Sequence, residues 1–216
     1  MSKTQLTKRY LLFIISLFFC ALGVAITKRG ELGVSPTSSV ANVLSSIFPA
    51  LSLGGWLILW NCLLIVGQIV LLRRDFQPVQ LMQLPLSFLF GRFTDFGMWL
   101  TGFLPVPHYA AQLVMVIAGT FLLGFGIALA VIANVVMNAG EAFVKAVSQR
   151  FDTDFGHTKI GFDVFCVLAA VLLSLLCFDG AVVGTREGTL FAALCTGFVV
   201  NAVTVRLQKP LARVLA

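Results

Sequence analysis

The sequence predicts an all-α, polytopic membrane protein whose six transmembrane helices form a bundle of two inverted three-helix repeats, each with one additional short helix. Of its 216 residues, 59% are hydrophobic and 11% are charged, whereas charged residues make up about 25% of a typical soluble domain. Six apolar stretches approach the length of about 20 residues that a helix needs to cross a bilayer. The order of apolar and polar segments in the first half of the chain recurs in the second half.

The six predicted spans are apolar stretches of 18 to 24 residues, at 10–27, 54–72, 80–103, 110–133, 160–178 and 188–205. The first span follows basic residues, as in a secretory signal peptide, but no convincing small-residue cleavage site follows it. We therefore expect it to be retained as the first helix. Two further segments, 36–48 and 138–150, are too short or too polar to span a membrane alone.

The distribution of Lys and Arg predicts the orientation, because cytoplasmic connections of membrane proteins carry an excess of these residues. With a cytoplasmic N-terminus, eleven basic residues lie inside and three lie outside, while Arg92 falls within the third span. The inside group is Lys3, Lys8, Arg9, Arg73, Arg74, Lys145, Arg150, Lys159, Arg206, Lys209 and Arg213, and the outside group is Lys28, Arg29 and Arg186. Both termini are therefore expected in the cytoplasm.

An internal repeat is predicted from the order of segments and from a few residue matches. Shifting the chain by 103 residues places Gly23 on Gly126, and a shift of 106 residues places Asp95 on Asn201. The order of span, short helix, span and span occurs twice. This predicts two halves, 1–106 and 107–216, which form one integrated membrane domain.

Each predicted half has an odd number of spans, so the second half must cross the membrane in the opposite sense to the first. Inverted repeats of this kind are typical of alternating-access transporters, which need two similar arrangements open to opposite sides. The alternative is a gene duplication retained for packing alone.

The first short segment, 36–48, has apolar residues at helical spacing and an uncharged Ser-rich and Asn-rich face. Ser35 is a candidate N-cap, and Pro36 suits the first helical turn. If the segment is re-entrant, the free N–H groups at its start attract an anionic ligand. Ser35, Thr37 and Ser38 are therefore candidate substrate contacts.

The second short segment, 138–150, is amphipathic but charged. Asn138 is its candidate N-cap, and Glu141 and Lys145 have the spacing of an ion pair on one helix face. Both short segments suit either re-entrant helices or helices that lie in the membrane interface. The sequence leaves these two alternatives open.

The third span carries a polar stripe in which Gln83, Ser87, Gly91 and Asp95 recur every four residues. Arg92 lies one turn from Asp95, so the two side chains are expected to pair. In the functional interpretation Arg92 binds an anion, and Asp95 is its counter-charge or a proton carrier. In the structural interpretation the pair only fixes the orientation of the helix.

No motif in the chain indicates a metal site, a cofactor or an enzyme. The five cysteines lie in apolar segments without metal-ligand spacing, and no Walker loop, zinc-protease motif or nucleophile-elbow motif is present. The basic residues form no stripe with interleaved aromatics, so the net charge of +6 does not indicate a nucleic-acid partner. The expected partners are the lipid bilayer and a small molecule, and a homo-oligomer is left open.

Three short motifs resemble the YczE/YyaS/YitT-type family of uncharacterised bacterial integral membrane proteins, and the resemblance extends over nearly the whole chain. They are a Gly-Val-x-Pro turn at 33–36, the third span with Gly91 and Asp95, and a Gly-Thr pattern at 184–189. The resemblance implies a bacterial cytoplasmic membrane location, a polytopic bundle, and suspected transport or regulation of secondary metabolism. The turn at 33–36 has no counterpart at 136–139.

Together these observations predict a small-molecule secondary transporter or permease of unknown substrate, and an anionic group on that substrate is left open. The candidate substrate-binding residues are Arg92, Asp95, Gln83, Ser87, Ser35, Thr37, Ser38 and Asn201. The alternative is a membrane-embedded regulatory or assembly factor that docks a protein partner through its cytoplasmic segment 138–159.

Overall fold

The computed structural model describes residues 3–215, and this part of the chain contains eight α-helices and no β-strand. Residues 1–2 and 216, at the outer limits of the two predicted halves, lie outside the described residues. The helices are α1 (Lys3–Arg29), α2 (Pro36–Ile47), α3 (Leu53–Leu72), α4 (Gln83–Leu100), α5 (Tyr109–Ala133), α6 (Ala139–Phe151), α7 (Phe155–Cys177) and α8 (Glu187–Leu215). The all-α prediction is therefore confirmed for the described residues.

Five helices, α1, α3, α5, α7 and α8, are long and apolar enough to cross a membrane. They coincide with five of the six predicted spans, so the prediction of a membrane protein with several spans is confirmed. The helix α4 coincides with the remaining predicted span but is not among the five. Its 18 residues carry the polar stripe that begins at Gln83, which lowers its mean hydropathy.

The centre of the fold is the pair α1 and α5, which makes the most extensive contact between any two helices. Glycines let the two backbones touch. A Cβ atom at Gly23 would lie 2.6 Å from the backbone nitrogen of Leu123, and one at Gly126 would lie 2.6 Å from that of Cys20. Any larger side chain at either glycine would force the helices apart.

The remaining helices surround this pair. Helix α4 packs on α1 and α3, and α8 packs on α5. Each short helix crosses to the other half of the chain, because α2 lies against α7 and α6 lies against α3. Helices α7 and α8 have hardly any contact, although α3 and α4 pack together closely.

The connections between α1 and α2 and between α7 and α8 join at one end of the bundle. Leu32 and Val34 are fully buried there, and Gly33 forms an isolated bridge with Thr185. The N–H of Gly188 also donates to the carbonyl of Leu32 at 2.8 Å. These bonds close the bundle at this end.

Candidate functional site

A central cavity of about 820 Å³ is lined by residues of all eight helices. Most of the predicted site residues border it, namely Ser35, Thr37, Ser38, Gln83, Ser87 and Asn201. The cavity reaches the surface where α7 and α8 diverge, because its lining residues Phe155 and Ile160 are 40% and 64% exposed. The opposite end is the one that the bridge between Gly33 and Thr185 closes.

The two short helices begin beside each other in the cavity wall. A Cβ atom at Gly140, in the first turn of α6, would lie 2.8 Å from the Cγ2 methyl of Thr37, in the first turn of α2. Both helices pack inside the bundle, since most of the N-terminal residues of each are buried. The side chains of the N-cap residues Ser35 and Asn138 form no cap hydrogen bond with their own helices.

A cluster of charged and polar side chains lies in the cavity wall next to these helix starts. Lys159 and Asp163, one turn apart on α7, form an ion pair. The hydroxyl of Thr37 donates to the Asp163 carboxylate at 3.3 Å, which joins α2 to the pair. Lys145 also lines the cavity. The cluster therefore joins charged side chains from α6 and α7 to the start of α2.

Glu141 belongs to this cluster rather than to the predicted pair with Lys145. Burial raises the pKa of the Glu141 carboxyl, while nearby Lys159 and hydrogen bonds from Asn138 act in the opposite direction. The described residues include no ion pair between Glu141 and Lys145. The prediction of that pair is wrong because Glu141 folds back towards its own N-cap, as in a capping box.

The predicted pair of Arg92 and Asp95 is also not formed. Asp95 accepts a hydrogen bond from the hydroxyl of Ser52 at 2.8 Å and another from the N–H of Gly54 at 2.9 Å. The free N–H groups at the start of α3 offer the carboxylate a better partner than a side chain on its own helix. Arg92 is exposed and has no ion-pair partner in residues 3–215. Neither Arg92 nor Asp95 lines the cavity.

Gln83 borders the cavity, but its amide group is occupied by Gln68 of α3. Each amide nitrogen donates to the oxygen of the other side chain, at 3.0 and 3.1 Å, and Gln68 also donates to the carbonyl of Ala139 at 3.2 Å. Both side chains are buried. This amide pair therefore ties α3 and α4 to the start of α6.

Sequence inspection did not single out Gln68 or Asp163 as site residues. Gln68 and Asn61 are the two amide side chains of an otherwise apolar helix, and nothing near Gln68 in the sequence indicates its partner. The spacing of Lys159 and Asp163 is a usable signal, because residues four apart on a helix face can pair. Their contact with Thr37 of α2 could only come from the tertiary structure.

Residues 7–205 match the profile of a family of unknown function, DUF6198. Neither a curated protein nor a solved structure matches the chain. Because the match covers most of the sequence, the chain belongs to the DUF6198 family of unknown function.

Proposed function

We propose that the protein is a small-molecule secondary transporter or permease that works by alternating access. The observation that carries the proposal is a cavity between the two proposed halves that has a cluster of charged and polar side chains in its wall, is closed at one end and reaches the surface at the other. A carrier needs such a cavity, and a second arrangement of the same halves would open it to the opposite side.

The proposal includes an inverted repeat, which the helix boundaries support. Helices α2, α3 and α4 begin at residues 36, 53 and 83, and α6, α7 and α8 begin at 139, 155 and 187. The start positions therefore differ by 102 to 104 residues. Equivalent helices also make equivalent contacts. Helix α1 packs on α4 as α5 packs on α8, and α2 packs on α7 as α6 packs on α3.

The central glycine contacts support the same relationship in more detail. Gly23 lies over Leu123, and Gly126 lies over Cys20. A shift of 103 residues takes Gly23 to Gly126 and Cys20 to Leu123. The two contacts are therefore equivalent, with the glycine on α1 in one contact and on α5 in the other. A pseudo-two-fold axis through the crossing of α1 and α5 would produce this pattern.

We further propose that the substrate carries an anionic group and binds near the starts of α2 and α6. Helix N-termini carry partial positive charge, Lys145 adds a full positive charge in the same cavity, and Lys159 adds another that is paired with Asp163. Thr37, Ser38 and Asn201 would supply hydrogen-bonding groups. A volume of about 820 Å³ is within the range of small-molecule sites, which is about 300–1,000 Å³.

The proposed location is the bacterial cytoplasmic membrane, with both termini in the cytoplasm and α2 and α6 as re-entrant helices. The excess of basic residues at one end supports this orientation, and the YczE/YyaS/YitT-type resemblance supports a bacterial source. Single cysteines near residues 74 and 152 should react only from the cytoplasmic side, and those near 30 and 106 only from outside. If positions 30 and 152 react from the same side, the inverted repeat is excluded.

Transport is tested by reconstituting the protein in vesicles and measuring uptake from a labelled mixture of small organic anions and neutral metabolites. We expect uptake of an anion, reduced at least tenfold in Lys159→Gln, because the binding site loses a positive charge. Lys209→Gln is the matched control, since Lys209 is exposed on α8 and does not line the cavity. Uptake no greater than in protein-free vesicles for the whole mixture would contradict the proposal.

The second candidate is a regulatory or assembly factor, and one observation favours it. Residues 149–157, which run from the end of α6 to the first turn of α7, form a continuous exposed segment. The apolar face of α6 is covered by α3 and α7, so a partner would have to bind through this segment. Arg150→Glu should then abolish the cellular phenotype while leaving uptake unchanged.

A further inference from the structure

Helices α3 and α4 pack along a line of contact between their backbones, which we call a closed seam. A Cβ atom at Gly54 would lie 2.1 Å from the carbonyl oxygen of Gly91, so the two backbones are in contact. A Cβ atom at Gly91 would lie 2.5 Å from Ile58. Asp95 fastens the seam through its bonds to Ser52 and to the N–H of Gly54.

Helices α7 and α8 form the corresponding seam at the opposite end of the bundle, and this seam is open. A Cβ atom at Gly197 would meet nothing within 4 Å. Ile160 and Asn201 both line the cavity and are both exposed, Ile160 by 64%. The gap between these two helices is the surface opening of the cavity.

The open seam carries the same residue pattern as the closed one. A shift of 102 residues takes Ser52, Gly54 and Ile58 to Asp154, Gly156 and Ile160, and a shift of 106 residues takes Gly91 and Asp95 to Gly197 and Asn201. The glycines and the isoleucine are identical. Ser52 and Asp154 also have the same local role, because each caps its helix by accepting the N–H three residues later.

The polar pairs of the two seams are complementary. In the closed seam the hydroxyl of Ser52 donates and the carboxylate of Asp95 accepts. In the open seam the roles are reversed. The carboxylate of Asp154, at the start of α7, is the acceptor, and the amide nitrogen of Asn201 on α8 can donate to it. The amide oxygen of Asn201 is left to accept the N–H of Gly156, as Asp95 accepts that of Gly54.

We propose that α7 and α8 close against each other in a second conformation, in the manner of α3 and α4. Gly156 and Gly197 then come into backbone contact, Ile160 packs over Gly197, and Asn201 binds Asp154 and the start of α7. This inference rests on the proposed function, for which the closing seam is the gate at the end of the cavity that is now open.

Disulfide formation tests the seam in a variant in which alanines replace the five native cysteines. Ser52→Cys with Asp95→Cys should cross-link readily under mild oxidation, because the native side chains are in contact. Asp154→Cys with Asn201→Cys should cross-link more slowly, through transient closure, yet at least tenfold faster than Asp154→Cys with Ala202→Cys. Ala202 is the matched control because it is turned about 100° around α8 from Asn201.

The proposal is overturned if the pair at 154 and 201 reacts no faster than the control while the pair at 52 and 95 forms its disulfide. The disulfide between positions 52 and 95 also verifies that the protein in which alanines replace the native cysteines is folded. Neither measurement needs a substrate. If the protein cross-links as expected but transports no solute, the proposed gate is supported and the proposed transport function is contradicted.

A swap of the polar pair gives an independent test, with spin labels at Phe165→Cys and Ala202→Cys reporting the separation of α7 and α8. Asn201→Asp should reduce the short-distance population about threefold, because it opposes the carboxylate of Asp154. Asp154→Ser combined with Asn201→Asp recreates the pair of the closed seam and should restore that population. Failure of the double variant to restore it would overturn the assigned contact.

Discussion

Thr37 and Gly140 are in contact at the point where the first turns of α2 and α6 meet, and a shift of 103 residues relates one position to the other. The two short helices therefore approach each other through equivalent residues. A Cβ atom at position 140 would press against the Cγ2 methyl of Thr37, so one of the two groups would have to shift. The contact also brings both helix N-termini to one cavity wall.

Gly140→Ala tests this contact. The added methyl would lie 2.8 Å from the Thr37 methyl, and overpacking of this kind costs about 1 to 3 kcal/mol of unfolding free energy. Thermal unfolding in detergent measures the loss. Thr37→Ser in the same protein removes the opposing methyl but keeps the hydroxyl that binds Asp163, so the double variant should recover most of the stability. No recovery would show that the two residues do not oppose each other.

Asp95→Asn and Arg92→Gln separate the observed cap from the ion pair expected from sequence. Asp95→Asn weakens two charge-assisted hydrogen bonds to α3 and should lower the unfolding free energy by about 1 to 2 kcal/mol. Arg92→Gln should change it by less than about 0.5 kcal/mol, because the exposed guanidinium has no ion-pair partner in the described residues. Denaturant unfolding measures both. Equal losses would point to a direct Arg92–Asp95 pair.

The buried amide pair predicts non-additive stability changes. Gln68→Leu leaves the Gln83 amide buried without its partner and should cost about 1 to 3 kcal/mol. Gln68→Leu with Gln83→Leu removes both polar groups and should be more stable than the single variant, as a double-mutant cycle would show. Additive losses would mean that the two amides are independent.

Glu141 predicts a pH dependence of stability. Burial raises its pKa, so the folded protein retains a proton at pH values where the unfolded chain has released it. This contribution is complete below the usual pKa of Glu and is lost as the pH rises through the raised value. Melting temperatures should therefore fall less with rising pH in Glu141→Gln than in the wild type. Glu31→Gln, at an exposed residue, is the control and should show the wild-type dependence of melting temperature on pH. The same dependence in the wild type and both variants would contradict the role given to Glu141.

The sequence by itself determined the helices and the membrane character of this protein. Long apolar segments cannot remain in water, and a backbone in lipid must satisfy its hydrogen bonds within a helix. The starts of α2 and α6 at Pro36 and Ala139 also follow from local signals, because their capping residues lie next to them in the chain. Together with the polar stripe of the third span and the match of Asp95 to Asn201, these signals indicated six residues that line the cavity.

The tertiary structure alone decided which polar groups meet. Asp95 has a partner one turn away on its own helix, yet the rotation of α4 turns it to the start of α3. Thr37 and Asp163 are 126 residues apart, so their contact depends on how α2 crosses to the second half. The same glycine pattern gives a closed seam in one half and an open seam in the other. The local sequence determines that each segment is a helix and where its glycines lie. Whether two helices pack closed or open depends on the contacts of the whole bundle.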